Sequence, residues 1–512
     1  MTTTLSKNLI PATSVRPAPS LRGRRCTMLL ASLLLAGCAS QGAVQPTAQV
    51  VQPARLGLAT GPADFPRDDW WTQFNDPELS RLIAQALADN PTLQEAQARL
   101  RQAQAAVGVA QSSLEPKLGV AANSTRQRFS ENDIYPPPLG GGIYTENQAL
   151  LQGRYTLDFF GLHRAQLQAS IGQARASQAQ AQAAWVLLAA NVASGYFNLA
   201  RLDAQRAVLE RTLAQRQQIE QLVSDRVRAG LETSLQQRQA QAEIPQIRLQ
   251  IEQNAQAQAE ARHALAALLG RGPQATVSLS PSLQALPMPA LPADIPAELI
   301  GRRADVVAAR WQAQSALAGV KAARAAFYPN ISLTAFAGFT ALGFSQFLAA
   351  GSRAYGVGPA LTLPIFEGGK LRANLRGQVA GADAAIDLYN ATLVNAVREV
   401  ADALSSRRSL QKQLAQQHDA LTLAEDAYAL AQQRYRAGLS SYLSVLSTEN
   451  AVLQLSQSGV NLKAQALLDD VALIRALGGG YAASQLPALP GDAAAPAAAT
   501  ATRSAAQPPS TR

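Results

Sequence analysis

Apolar and small residues recur every three or four positions along residues 162–228 and 371–436, and neither stretch contains a proline. This spacing is typical of helices that pack along a coiled-coil seam. At about 1.5 Å per residue, each stretch predicts a helix roughly 100 Å long. Shorter helical stretches follow at about 232–269 and 440–477, so the pattern predicts two long antiparallel helical hairpins. The seam residues of the first long helix are Val192, Gly195, Leu199, Leu202, Leu209 and Leu213.

The two predicted hairpins turn on nearly the same sequence. Arg226-Val-Arg-Ala-Gly-Leu231 returns in the second half of the chain as Arg434-Tyr-Arg-Ala-Gly-Leu439. Because other segments recur in the same order, we predict an internal two-fold repeat over residues 67–270 and 297–477, in which neither copy buries its apolar faces alone. The six prolines of residues 271–296 mark a linker between the copies.

Between the opening helix and the long helix, each half carries a pair of segments with alternating apolar and polar residues. Their length suits tilted transmembrane β-strands. Four strands cannot close a barrel, and open sheet edges are not tolerated in lipid, so several copies must share one barrel. Three copies would give twelve strands, although this geometry alone does not fix the number. The predicted fold is mainly α with a small membrane β part, and the strands are expected at about 117–128, 145–160, 330–341 and 354–366.

The N-terminal residues have the pattern of a cleaved signal peptide. Residues 1–37 combine basic residues with a short apolar run, Met28–Leu35, which is too short to span a bilayer. The segment Leu35-Ala-Gly-Cys38 resembles a bacterial lipobox, which implies cleavage before Cys38 and a covalent lipid there, S-diacylglycerol and N-palmitoyl. The alternative is an ordinary signal peptide with a chance cysteine.

The segments that flank the predicted repeats are rich in alanine, proline and glutamine. Residues 38–66 are expected to form an extended tether between the lipid and the body. Residues 478–512 are expected to be a disordered tail. No helical membrane span is expected beyond the leader.

Charge and side-chain chemistry exclude several classes of function. The formal net charge of +10 falls to +5 without the five leader cations, and the remaining basic residues form no stripe, so nucleic-acid binding is not expected. His163, His263 and His418 are isolated, without metal-ligand spacing. We find no catalytic set, metal site or cofactor motif, and we predict a protein that is not an enzyme.

Six short motifs are distributed along the chain. They are Trp70-Trp71 with Phe74, Asp76-Pro77, Arg302-Arg-Ala-Asp-Val306, Phe327-Tyr-Pro-Asn-Ile-Ser-Leu333, Pro364-Ile-Phe-Glu-Gly-Gly-Lys-Leu371 and Arg434-Tyr-Arg-Ala-Gly-Leu439. Together they resemble the outer membrane efflux protein family, the TolC-like channels, and within it the NodT-type lipoproteins. The resemblance implies a homotrimer with a twelve-stranded outer-membrane β-barrel and a long periplasmic α-helical barrel. It also implies an exit duct for drugs and other small molecules, joined to a periplasmic adaptor protein and an inner-membrane transporter.

The resemblance assigns the gate to the hairpin tips. Arg434, Tyr435 and Arg436 match the periplasmic constriction of the family, and Arg226 and Arg228 are their counterparts in the first repeat. The alternative is that these are solvated cations that interact with the helix dipole. The turn residues expected to contact the adaptor are Gly230, Leu231, Gly438 and Leu439.

The sequence departs from the family beside both turns. Positions that often hold aspartates of an ionic latch are occupied here by Gln236 and Ser447, while Glu232 and Glu449 lie nearby. Whether an ionic latch exists stays open at this point.

The competing class of function is a periplasmic adaptor lipoprotein with coiled-coil hairpins. Adaptors usually carry one hairpin set between β segments, whereas this chain predicts two hairpins and a helical C-terminal part, which favours the channel.

Overall fold

The computed structural model of the protein describes residues 44–56, 66–283 and 299–481. These residues form two compact units. The first comprises residues 116–162 and 321–377 with the N-terminal residues up to Gln45, and the second comprises the rest. The predicted leader, Cys38 and the last 31 residues (482–512) lie outside the described residues.

The described chain is mainly helical, with one small sheet. The four hairpin helices begin and end within two residues of their predicted positions, and both long helices have 67 residues. The helices are α1 Pro77–Asp89, α2 Pro91–Gln111, α3 Leu162–Arg228, α4 Ser234–Leu268, α5 Leu299–Arg302, α6 Ala304–Ala325, α7 Lys370–Arg436 and α8 Tyr442–Ala476. The strands are β1 Lys117–Arg128, β2 Ile143–Leu157, β3 Asn330–Leu342 and β4 Arg353–Thr362.

The opening helices are set by two capping side chains. Asp76 accepts hydrogen bonds from the backbone N–H groups of Glu78 and Leu79 at 2.9 and 3.0 Å, and Pro77 occupies the first helical position, as predicted. Asn90 caps α2 in the same way and also donates to the Leu268 carbonyl at 2.8 Å. Both caps satisfy backbone donors that a helix start leaves unpaired, so the break between α1 and α2 is local in origin.

The main hydrophobic core lies in the second unit, where α1 packs against the middle of α3 and the C-terminal part of α8. The Phe74 and Phe197 rings lie 5.0 Å apart, and the Tyr196 hydroxyl donates to Asp76 at 2.7 Å. Among the described helices only α3 has an 18-residue stretch apolar enough to cross a membrane, with a mean hydropathy of 1.3. Because 56% of that stretch is buried within the protein, it is accounted for as a core helix.

The four strands of the first unit form one antiparallel sheet in the order β1-β2-β3-β4. The β2–β3 pairing joins strands from the two halves of the chain. Two strand ends differ from the prediction, since β2 ends at Leu157 and β4 ends at Thr362 rather than near 160 and 366. Thr362 is already opposite Asn330, the first residue of β3, and Pro364 has no N–H to donate, so the ladder cannot continue.

The sheet has one apolar and one polar face, because side chains alternate along each strand and the register is continuous across all four. The apolar face includes Leu118, Val120, Leu151, Tyr155, Leu333, Tyr355, Val357 and Leu361, all of which are exposed in the protomer. The polar face includes Lys117, Asn123, Gln127, Glu146, Gln148, Gln152, Arg154, Thr334 and Thr340.

The predicted tether is partly ordered. Asp383 of α7 accepts hydrogen bonds from the backbone of Thr47 and Ala48 at 2.7 and 2.8 Å. Asn390, two helical turns further on, accepts from Val51 at 2.9 Å and donates to the Gln49 carbonyl at 2.8 Å. The segment 47–51 is therefore bound along α7 and is not a free chain.

The predicted linker and the start of the predicted tail also contain ordered residues. Thr276 is buried and donates to the Arg262 carbonyl at 2.8 Å, and Leu279 packs in the main core. At the other end, Tyr481 is only 3% exposed and packs against Ala304 and neighbouring residues. The expected disorder cannot begin at residue 478, because residues 478–481 are held by this packing.

Candidate gate at the hairpin tips

Both hairpin tips close with the same backbone turn. Gly230 and Gly438 have φ values of +72° and +75°, the left-handed conformation that glycine adopts without strain. Leu231 N–H donates to the Arg226 carbonyl at 2.9 Å, and Leu439 N–H donates to the Arg434 carbonyl at 2.8 Å. This is the Schellman pattern, which ends a helix by pairing its last carbonyls. The equal turns explain why the two tip sequences resemble each other.

Arg226 crosses from the first tip to the second. Its guanidinium carbon lies 4.9 Å from the centroid of the Tyr435 ring, and its Nη1 donates to the Tyr435 carbonyl at 3.4 Å. Its Nε lies 3.8 Å from the Glu232 carboxylate, and both of these side chains are largely buried. We call this set, Arg226 with Tyr435 and Glu232, the tip contact. It fastens the second hairpin to the first within one protomer.

Within the tip contact, the Tyr435 side chain is fully buried and packs in a small cluster with Val223, Tyr442 and Val445. Burial, followed by the nearby Glu232 carboxylate, raises the pKa of Tyr435 to about 12, so the hydroxyl stays protonated. Among the described residues this hydroxyl has no hydrogen-bond partner of normal geometry. An unpaired buried hydroxyl costs free energy, which the other contacts of the tip must offset.

The other predicted gate cations are not part of the tip contact. Arg228 forms an exposed ion pair with Asp225 one helical turn earlier. Arg434 and Arg436 are exposed, and within the described ranges neither makes an ion pair. The structure therefore separates the five predicted gate residues into one buried pair, Arg226 and Tyr435, and three surface cations.

Four leucines are exposed around the two turns. Leu231 and Leu235 at the first tip are 65% and 61% exposed, and Leu439 and Leu443 at the second are 70% and 67% exposed. Apolar side chains clustered at an exposed position are typical of a protein-binding surface. The predicted contact residues Leu231 and Leu439 lie in this set.

A buried charged cluster, not predicted from the sequence, lies between the two hairpins. Arg216 of α3 donates to Glu243 of α4 at 2.5 Å and to Asn450 of α8 at 2.7 Å. Its Nε lies 3.5 Å from Glu449 of α8, and Arg216 and Glu449 are 5% and 3% exposed. The signal was available, since Arg216 continues the three-to-four spacing of the predicted seam after Leu213. A charge on a seam requires a buried partner.

Glu449 has an unusual electrostatic environment. Burial raises its pKa to about 7, although the nearby Arg216 acts in the opposite direction. One of its carboxylate oxygens has no hydrogen-bond partner among the described residues. Glu449 is therefore part of the inter-hairpin cluster and not an exposed member of a charged ring. The positions expected to hold latch aspartates, Gln236 and Ser447, are uncharged, and Gln236 accepts a hydrogen bond from Thr233.

The Arg-Arg-Ala-Asp motif has a structural role in the second unit. Arg303 is buried and binds both carboxylate oxygens of Asp305, at 3.0 and 2.6 Å. It also donates to Glu399 of α7 at 2.8 Å and to the Ala476 carbonyl at the end of α8 at 3.3 Å. Burial acts to raise the pKa of Asp305, but its hydrogen bonds to Arg303, the charge of Arg303 and backbone hydrogen bonds together lower it. One side chain thus connects three helices.

Comparisons with known proteins identify the family of this chain. The family model for outer membrane efflux proteins matches residues 82–271 and 295–479. The fusaric acid resistance protein FusA of Burkholderia cepacia is 37% identical over 375 residues, 71% of each chain. The multidrug resistance outer membrane protein MdtP of Shigella flexneri is 30% identical over 474 residues, 90% of this chain and 96% of that protein. The crystal structure of the outer membrane protein VceC of Vibrio cholerae has a TM-score of 0.78 at 34% identity, covering 81% of this chain and all of that one. This chain therefore belongs to the outer membrane efflux protein family.

Proposed function

We propose that this outer-membrane efflux channel is a homotrimer, in which three four-stranded sheets close one twelve-stranded barrel and the hairpin tips form the gate. Each protomer would contribute two repeat copies, and each copy would contribute one helical hairpin. The observation that carries the proposal is the sheet itself, which has one apolar face and two unpaired edge strands, β1 and β4.

The sheet requires partners on both edges if it enters lipid. Unpaired backbone groups cost several kcal/mol each in hydrocarbon, so a spanning sheet must close on itself. The smallest transmembrane barrels have about eight strands. Pairing β4 of one copy with β1 of the next supplies the missing partners, with the apolar face toward lipid and the polar face toward an aqueous lumen.

The distribution of arginine supports the same orientation. On the apolar face, Arg126, Arg128 and Arg353 all lie at the end of the sheet where the strands enter the β1–β2 and β3–β4 loops. Cations at this level reach the headgroup region of a membrane while the rest of the face stays apolar. The opposite end of the sheet continues into the helices.

The tip contact is proposed as the closing element of the gate. While Arg226 lies over Tyr435, the second hairpin is fastened to the first at the tip. Opening would move the second hairpin away and break this contact. The surface cations Arg228, Arg434 and Arg436 would then line the entrance.

The exposed leucines of the tips are proposed to contact a periplasmic adaptor protein, which joins the duct to an inner-membrane transporter. A lipid on Cys38 would anchor the N-terminus in the outer membrane, and the bound segment 47–51 would attach the chain that follows the anchor to α7. The named relatives concern fusaric acid and multidrug resistance, which supports small toxic compounds as the exported class. No resident cofactor is needed for this function.

Two variants test the orientation of the sheet. Val357 and Gly358 are neighbours on β4 with opposite faces, and a side chain on Gly358 would meet open space. Val357→Arg would place a charge in lipid, at a cost of about 2–4 kcal/mol near the membrane centre, and we expect it to reduce the assembled protein in the outer membrane. Gly358→Arg should assemble normally. Equal loss from both variants would contradict the proposed orientation.

The assembly itself is tested by native mass measurement of the detergent-extracted protein. We expect three chains per particle, and each chain should have the mass of the mature protein with one lipidated N-terminus. Deleting the protein together with its pump should sensitise cells to exported drugs. A monodisperse monomer would exclude the shared barrel. The alternative, a periplasmic adaptor, would predict a soluble periplasmic particle after removal of its lipid, and the family match gives it no support.

A further inference from the structure

Two cations lie side by side on the polar face of the sheet, at the end that continues into the helices. Lys117, the first residue of β1, is directly opposite Arg154 of β2 in the register. Directly opposed residues have Cα atoms about 5 Å apart and side chains on one face. Both side chains are exposed, and within the described part of the chain neither forms an ion pair.

Within the described residues no ion pair balances these two cations, although the exposed Glu115 lies two residues before Lys117. Like charges directly opposite each other destabilise a sheet. Among the strand residues of the polar face the only acid is Glu146, whose carboxylate accepts a hydrogen bond from Gln127 at 3.2 Å. Glu146 is eight residues from Arg154 along β2, roughly 27 Å away. It cannot neutralise the pair across a Debye length of about 10 Å.

The pair borders a large open hollow on the same face. The hollow has a volume of about 770 Å³ and is lined by Lys117, Arg154, Gln152, Thr334 and Phe336. The Phe336 ring lies over Gly356, where a Cβ would come within 2.8 Å of the ring. Gly119 has open space where a side chain would be. The hollow therefore combines two cations with an aromatic surface and little steric obstruction.

We infer that Lys117 and Arg154 form an anion-selecting site in the channel, and that its preferred ligands are small organic anions, aromatic carboxylates in particular. The inference rests on the proposed function, because it places the polar face toward the lumen. In a trimer, three such pairs would form one basic ring where the barrel meets the helices. A ring of one sign in a narrow path raises the local concentration of oppositely charged ions. The Phe336 ring would add contact with an aromatic solute.

The test is the reversal potential of single channels in a planar bilayer under a KCl gradient, which gives the chloride-to-potassium permeability ratio. We expect a ratio above one for the unmodified protein, and a fall of about threefold or more in Lys117→Gln/Arg154→Gln, in line with the counter-ion enrichment that such charges produce. Lys117→Glu/Arg154→Glu should reverse the preference. Potassium benzoate in place of KCl should show a benzoate permeability that the double glutamine variant loses.

The chain supplies a matched control. Arg126 lies on β1 but on the opposite face, so Arg126→Gln removes one cation and should leave the ratio unchanged. If the double variants fail to assemble, Lys117→Cys can be treated within the bilayer with a cationic or an anionic thiol reagent. The cationic reagent should raise the ratio and the anionic reagent should lower it.

The outcomes separate this inference from the proposed function. Channels whose permeability ratio is the same with and without the two cations would overturn the anion site and leave the duct intact. If Arg126→Gln changes the permeability ratio as much as the double glutamine variant does, the assignment of the polar face to the lumen and the apolar face to lipid would be wrong. A protein that gives no channels at all would contradict the duct itself.

Discussion

Replacing Arg226 with glutamine tests whether the tip contact holds the gate closed. Arg226 is largely buried and contacts the Tyr435 ring, the Tyr435 carbonyl and Glu232. Glutamine keeps a similar length and a hydrogen-bond donor but has no charge. The variant therefore removes the interaction with the ring and the interaction with the carboxylate, while the Schellman turn that follows is left unchanged.

The size of the effect follows from these contacts. A cation over an aromatic ring contributes about 1–2 kcal/mol when it is largely desolvated. The 3.8 Å approach to Glu232 adds no more than about 1 kcal/mol. A loss of about 1–3 kcal/mol per protomer would shift the balance between closed and open tips roughly 5- to 150-fold, since about 1.4 kcal/mol corresponds to a factor of ten. The three copies of a trimer would act together and enlarge the shift.

Planar bilayer recordings measure this shift directly. We expect Arg226→Gln to show a larger mean conductance or longer open times than the unmodified channel. Cells that carry it should admit large antibiotics that the outer membrane normally excludes. Arg228→Gln is the matched control, because Arg228 is two residues away on the same helix and its ion pair with Asp225 is exposed.

Two results would refute the reasoning. If Arg226→Gln conducts like the unmodified protein although it assembles normally, the tip contact does not hold the gate. If Arg228→Gln opens the channel as much as Arg226→Gln does, the charge of the tip and not the buried contact controls opening.

Three further predictions concern stability and pH. Because the folded pKa of Glu449 is raised to about 7, its contribution to stability is present at low pH and is lost as the pH rises from about 4.5 through 7. As the pH rises from 5 to 8, the free energy of unfolding of Glu449→Gln should therefore increase by up to ~3 kcal/mol relative to that of the unmodified protein. Thermal unfolding at a series of pH values measures this, and a difference that does not change with pH would contradict it. Gly438→Ala should destabilise the folded protein by about 1 kcal/mol, because Gly438 has a positive φ. Gly377→Ala is the control: it lies inside α7 with open space around the added Cβ and should be neutral or stabilising. Equal unfolding temperatures for the two variants would show that the positive φ is not the cause. Arg303→Met should cost about 1–3 kcal/mol, since it leaves Asp305 without its cation and Glu399 with only Arg475, at 3.9 Å. A normal unfolding temperature would show that the motif has another role.

The features that the sequence predicted well depend on local chemistry. The two long helices follow from the absence of proline and the regular spacing of small and apolar residues. The tip turns follow from Gly230 and Gly438, because glycine readily adopts the left-handed conformation that ends a helix. The start of α1 follows from Asp76 and Pro77. None of these features needs a distant partner.

The features that sequence reasoning missed depend on packing between distant segments. Arg216 and Glu449 are more than 200 residues apart, and only the packing of α8 against α3 makes them a buried pair. Tyr435 was predicted as a gate residue together with Arg434 and Arg436. Helical periodicity turns it inward, while Arg434 and Arg436 face outward. The composition of the tether gave no indication that Asp383 and Asn390 would bind its backbone.

Conduction of solutes across the outer membrane is measured by single-channel recording of the purified, lipidated protein in a planar bilayer. We expect discrete current steps of uniform size, with an open probability that is higher in Arg226→Gln than in the unmodified protein. A bilayer that stays silent with both proteins, although they are folded and inserted, would contradict it.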